Sequence, residues 1–355
     1  MLYTGERNYG CRFLEVSLFG HRTIILENEK IRVMFILDKG TDIVEFNYKE
    51  TDTDFIWRSP QGLSCLKKIE YMRKDEQILT DNYTGGWFEA FPNVGPECKY
   101  KGANIQSYGE VCYLPWEYSV LEDTPQEVSL KCFVRTTKMP YYMEKVFTVK
   151  SNQPSLFIKE TVVNIGGEDL HFQWAHHPNF GGPFLDENCV IDFPGADISN
   201  YMGRRAMHTD AEVKGCWPFL PDDSGKNIDF REMPARGTGV NDILFMKNLK
   251  GSWAAVRNRN KKVGIGLSWD NEMFDNCLLW MVANGDTGYP RYGQTYVLAI
   301  LPKSTDVHML SEGMNLPDAR VIGKGESKTT WLTATAFKEQ GEVSEILKNG
   351  EVLFK

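Results

Sequence analysis

Two adjacent histidines, His176 and His177, stand in the segment Trp174-Ala175-His176-His177-Pro178-Asn179-Phe180. Imidazole ordinarily titrates at about 6.5, which suits proton transfer at neutral pH. Adjacent side chains on an extended strand project to opposite faces, so the pair is badly placed to share one metal ion. Pro178 holds His177 in extended backbone and predicts a strand end there, ahead of the turn Gly181-Gly182-Pro183. A histidine so placed can reach into a cleft, with His176 and Asn179 as neighbouring ligand contacts. The residues alone leave open a catalytic His177 and a structural one bonded to backbone.

Three other segments carry usable chemistry. Gly85-Gly86-Trp87-Phe88-Glu89-Ala90-Phe91-Pro92-Asn93 sets aromatics, a carboxylate and an amide between chain breakers. Aromatic faces stack on the C–H surface of sugars, while carboxylates and amides bond hydroxyls, and small-molecule pockets combine such walls with a few placed polar groups. Trp87, Glu89 and Asn93 are its candidates; the alternative is a core turn with Trp87 and Phe91 buried. Tyr108-Gly109-Glu110 adds a tyrosine and a second carboxylate before an apolar run, where Glu110 could equally be an exposed strand-end group. Trp280 and the loop Gly288-Tyr289-Pro290-Arg291-Tyr292-Gly293 supply an aromatic and a cation that can anchor a hydroxyl or an anion, or else lie in solvent.

The elements that must position these groups read as strands. Runs rich in Val, Ile, Thr, Phe and Trp recur at 22–26, 31–37, 42–48, 128–134, 143–149, 156–165, 252–257, 263–269, 294–301, 305–310 and 328–335. Turn chemistry separates them, as in Asn164-Ile165-Gly166-Gly167 and Arg257-Asn258-Arg259-Asn260. Residues 192–234, with four prolines and weak periodicity, read as long surface loops. Val343, Ile346 and Leu347 fall at helical spacing before Gly350, which predicts a short C-terminal helix. The expectation is an all-β chain: a large antiparallel β-sandwich over 1–337, with a helical tail, 338–355, packed on the same domain.

Composition removes several function classes. Of 355 residues, 42% are hydrophobic and 25% charged, enough apolar material for one large core. A net charge of −8 and the lack of a basic stripe argue against nucleic acid as a partner. No run of about 18 apolar residues offers a membrane span, and the start Met1-Leu2-Tyr3-Thr4-Gly5-Glu6-Arg7 lacks a signal-peptide pattern, so a cytoplasmic place is the default expectation. Eight scattered cysteines include no Cys-x-x-Cys pair, so free thiols are expected rather than zinc or disulfides. Phosphate loops, dinucleotide fingerprints and Gly-x-Ser-x-Gly elbows are missing from the sequence.

Taken in order, these segments resemble the aldose 1-epimerase (mutarotase) superfamily, and most of all its divergent bacterial branches. The likeness runs from about residue 20 to 337: Leu26-Glu27-Asn28-Glu29-Lys30-Ile31-Arg32-Val33, Asp38-Lys39-Gly40-Thr41-Asp42-Ile43, the Gly86–Asn93 and Tyr108–Trp116 segments, His176–Gly181, and Gly325-Glu326-Ser327 before the last long strand. The resemblance implies a β-sandwich with an open cleft for a small carbohydrate, a monomeric or homodimeric assembly, and chemistry without metal or cofactor. In that chemistry a base takes the proton of the anomeric hydroxyl, a histidine acid protonates the ring oxygen, and the ring opens and recloses on its other face. His177 matches the acid. Two positions depart from the pattern: Leu301, before Pro302, stands where the family carries its glutamate base, and Tyr108 stands where relatives often carry histidine. A base from another strand, such as Glu89 or Glu110, or a carbonyl or lactone substrate would reconcile these departures with activity; the alternatives are a lyase or hydrolase acting on a modified sugar in the same cleft, and a sugar-binding protein without turnover.

Overall fold

A computed structural model describes residues 7–65, 83–200, 213–222, 224–307, 309–316 and 319–355, which leaves His208 and His308 outside it. Two large antiparallel sheets face each other, one of fourteen strands and one of eight. The central run of the larger sheet sets Asp42–Tyr48, Trp87–Ala90, Ala175–Phe180, Tyr296–Lys303, Asn276–Ala283 and Val240–Lys247 side by side. The smaller sheet carries Ser155–Asn164, Tyr141–Lys150 and Glu127–Arg135 among its members. Strict alternation in Tyr141–Lys150, with Tyr141, Met143, Lys145, Phe147 and Val149 inward, makes one face of the smaller sheet apolar. Phe147 stacks on Phe35 of the larger sheet at 4.5 Å between ring centroids, so the core is the space between the sheets.

Strands at the centre of the larger sheet are buried on both faces, as all six residues of Ala175–Phe180 and all eight of Tyr296–Lys303 show. Their outer face is therefore covered too, by loops that enclose a cleft. Pro178 does not end its strand; it lies inside it, opposite Trp87. Proline has no N–H to give the ladder. Pairing with Tyr296–Lys303 is accordingly interrupted between Ala175, opposite Lys303, and Asn179, opposite Ala299.

Three expectations fail for identifiable reasons. The C-terminal helix is a hairpin of Val343–Ile346 and Val352–Phe354. A β-bulge between Val343 and Glu345 adds one residue, so Val343 and Ile346 share a face at a spacing that mimics a helix. That face packs on Trp253, Ala255 and Phe337, and Ile346 sits so close to Gly266 that a Cβ there would lie 2.3 Å from it. No strand forms at Thr305–Val307, where the Thr305 hydroxyl accepts from Val307 N–H; Leu310, whose N–H donates to Asn93 Oδ1, opens the only helix among the described residues, Leu310–Gly313. Residues 192–234 are not simply loops: Asp197–Asn200, Lys214–Cys216, Phe219–Pro221 and Asn227–Asp229 extend the larger sheet. All eight cysteines are unpaired, five of them buried. Among the described residues, no helix is long and apolar enough to cross a membrane.

Candidate functional site

The strand Ala175–Phe180 separates two polar environments. His176 points between the sheets. Trp87 Nε1–H donates to its Nδ1 at 3.2 Å, and its Nε2 lies 2.8 Å from Glu160 Oε2. An indole only donates, so Nδ1 accepts and Nε2 carries the proton towards Glu160. Lys145 Nζ lies 2.5 Å from Glu89 Oε2 and 3.4 Å from Glu160 Oε1, and donates to the Thr41 hydroxyl at 3.0 Å. Trp174 Nε1–H donates to the other Glu89 oxygen. Ligand atoms of Glu89, Glu160 and His176 fall within 4.8 Å of one another, a spacing that would suit a metal ion, but the Lys145 ammonium already occupies the role of cation among them. Burial and the neighbouring Glu160 charge push the Glu89 carboxyl up, while His176 and Lys145 hold Glu160 low against its burial. Both carboxylates offset the burial of Lys145 and keep it protonated. Every polar residue in this cluster is closed off from solvent.

His177, one residue on, points the other way, into a cavity of about 470 Å³. Phe88 stacks on its ring at 4.5 Å and 19°, and Trp280 and Tyr108 meet it edge-on, each at 6.1 Å. Its Nδ1 is buried without a hydrogen-bond partner. Burial draws the imidazole down to about 3, the Arg291 charge acting in the same direction, so the resting ring is neutral. Arg291 lies 4.7 Å over Trp280 and 5.5 Å from the Tyr83 ring centre and pairs with Asp286. Trp280 Nε1–H donates to Asn241 Oδ1 at 3.3 Å. The strand register sets Leu301 opposite His177, and Leu301 and Lys303 line the same cavity. Tyr108 enters it from a turn with φ of 61°, followed by Gly109, whose φ is 80° and where a Cβ would lie 2.2 Å from the Phe91 carbonyl oxygen.

Of the residues expected at a site, the structure gathers His177, Tyr108, Trp280 and Arg291 around one cavity. Trp87, Glu89 and His176 lie on the opposite side of the sheet, because residue parity on two neighbouring strands sends them inward together. Glu110 is turned away as well. Its carboxylate accepts the backbone N–H groups of Thr137, Lys138 and Met139 at 2.8–3.1 Å and so anchors a turn of the smaller sheet. Asn93 Nδ2 donates to the carbonyls of Gly95, Pro96 and Gln106, bracing a loop that borders the cavity. Asn179 Nδ2 donates to the Gly86 and His177 carbonyls, which fixes the backbone beside His177. Neither proposed replacement for the missing base, Glu89 or Glu110, therefore reaches the cavity. Tyr83, Phe88, Asn241, Asp286 and Lys303 also line it and were not singled out from sequence. Strand parity could have found Lys303, since it shares a face with Leu301; Asn241 and Asp286 come from elements whose neighbours only the fold reveals.

Comparison with known proteins is consistent with this geometry. The chain belongs to the family described as "Domain of unknown function (DUF4432)", whose model matches residues 19–336. A search of curated proteins finds no match. Among solved structures, a candidate aldose 1-epimerase from Klebsiella pneumoniae superposes with a TM-score of 0.68 at 15% identity, covering 93% of this chain and 88% of that one. A galactose mutarotase-like protein from Clostridium acetobutylicum gives 0.64 at 12% identity, covering 93% and 99%. A candidate aldose 1-epimerase from Escherichia coli gives 0.60 at 14% identity, covering 88% and 98%. At such identities the likeness establishes the fold, which is the mutarotase-like β-sandwich.

Proposed function

We propose that this chain binds a carbohydrate in the His177 cleft and moves a proton at its anomeric centre, in the manner of an aldose 1-epimerase. The observation that carries the reading is a neutral imidazole with an unengaged Nδ1 on the floor of an aromatic-walled cavity. A neutral ring accepts a proton before it can donate one, so His177 takes the role of base where the acid was expected. It accepts the proton of the anomeric hydroxyl as the ring C–O bond breaks. The imidazolium then protonates the ring oxygen, which is bonded to the same carbon and so lies within reach of the same side chain. Rotation about C1–C2 and reversal of the steps give the other anomer. Phe88 and Trp280 offer faces for the sugar, and Arg291 favours the oxyanion that forms as the hydroxyl proton leaves. Proton transfers and a bond rotation need no cofactor.

Anomer exchange of freshly dissolved α-aldoses, followed by NMR, tests the proposal. Acceleration by the protein and its loss in His177→Ala are expected; a spontaneous rate across a broad panel of neutral and acidic sugars would sink it.

One observation favours a second reading, sugar binding without turnover. Leu301 faces His177 where a carboxylate would complete an acid–base pair, and Asp286, the carboxylate lining the cavity, is held by Arg291. Saturable binding with no exchange distinguishes it.

A further inference from the structure

One charged group of the cleft takes no part in the chemistry above. Lys303 ends the strand Tyr296–Lys303, is 4% exposed and lines the cavity with His177 and Leu301. An ammonium has three N–H donors. Lys303 Nζ directs one to the Val307 carbonyl at 3.4 Å and lies 4.9 Å from the Phe245 ring centre. Among the described residues no carboxylate pairs with it, since nearby Asp306 is held by Lys247. Burial draws Lys303 down to about 8, so most of it stays charged at neutral pH in a place where an unpaired charge is costly. Arg291, by contrast, already has Asp286.

The sheet register gives these groups an order. Trp280 lies beside Ala299, His177 is level with Leu301, and Lys303 is the next position on the same face, about 7 Å further along the strand. A pyranose bridges that interval with a hydrogen bond at each end, because the C6 group sits on the carbon across the ring oxygen from the anomeric carbon. We propose that Lys303 binds the carboxylate of an acidic sugar, so that the cleft takes a hexuronate with its anomeric carbon over His177 and its C6 carboxylate at Lys303. This assignment rests on the sugar-binding reading above and names its substrate class. A carboxylate fits better than a phosphate monoester, because one buried monocation neutralises one negative charge, whereas a phosphate ester carries nearly two at neutral pH.

Calorimetric titration of the protein at pH 7 with glucuronate, galacturonate and mannuronate, with their parent hexoses and with glucose 6-phosphate tests the assignment; anomer exchange is read by NMR on the same samples. At least one uronate is expected to bind tenfold or more tighter than its parent hexose and than the phosphate ester. In Lys303→Met, which keeps an unbranched apolar chain in place of the ammonium, the uronate and its parent are expected to bind alike. Uronates bound no tighter than hexoses by the wild-type protein would overturn the assignment, with or without a folded variant, and so would a preference that survives in Lys303→Met. Tighter binding of the phosphate ester would replace the carboxylate by a dianion and also overturn it. Exchange of neutral sugars without uronate preference leaves the proposed reaction standing and removes only the substrate class. Uronate binding without exchange does the reverse, and binding of no sugar removes both.

Discussion

His176 and His177 are neighbours in the chain and meet opposite conditions. Towards the smaller sheet, His176 belongs to a sealed cluster in which both of its ring nitrogens are engaged and each charge faces an opposite one. Towards the cleft, His177 has aromatic walls, a bare Nδ1 and a cation, Lys303, without an anion. Closing the first face fixes the spacing of the sheets; leaving the second incompletely satisfied makes room for a ligand to complete it. The difference teaches that a buried titratable group is not by itself a sign of function. What marks the cleft is hydrogen-bonding capacity that the protein does not use.

Substitutions can break that contrast. The largest effect is expected from His177→Ala: exchange should fall by about 10²- to 10⁴-fold while the thermal melting point changes little, as measured by NMR exchange and calorimetry. Lys145→Ala should do the opposite. It leaves two carboxylates facing each other without a cation, and urea unfolding should show a loss of about 3–5 kcal/mol; an intact stability would mean the cluster is not the brace described here. A pH series sharpens the comparison. Folded His177 titrates at about 3 and an unfolded histidine at about 6.5. Between those values only the unfolded chain takes the proton, so the stability due to His177 is complete above about pH 6.5 and is lost as pH falls towards 3. Denaturation midpoints should show a shallower acid loss in His177→Gln, and the acid limb of kcat/KM in the wild type should lie well below pH 6.5; a limb at 6–7 would return His177 to a protonated resting state. The smallest effect is expected from Leu301→Glu. A carboxylate opposite His177 would raise its pKa and separate base from acid, raising the exchange rate by roughly tenfold, about 1.4 kcal/mol in the barrier; an unchanged rate in a folded variant would place residue 301 away from the reacting carbon.

Much of the scaffold was legible from residue types. Asp42–Tyr48 and Val263–Trp269 were readable to the residue because β-branched and aromatic runs end in strong turn signals. The C-terminal hairpin was not, since one bulge residue turns a period of two into an apparent helical spacing. At the site, adjacency on a strand correctly separated His176 from His177. Parity on the partner strand was the missing step: Phe88 belongs with His177, and Glu89 with His176. Glu110 illustrates another limit, because nothing local announces that the amides of Thr137, Lys138 and Met139 will meet its carboxylate from a separate sheet. Lys303 needed the register of two strands to be placed beside the cleft, even though its parity with Leu301 was readable.

Pro178 has a consequence for position 301. Because it interrupts the ladder between Ala175 and Asn179, the partner residue Leu301 is held in the sheet through Leu278 on its other side. A substitution at 301 can trade an apolar wall for an acid while the pairing with Leu278 holds the strand in place. The acid–base set of the cleft can thus change at one position, while the sealed face behind it holds the architecture constant.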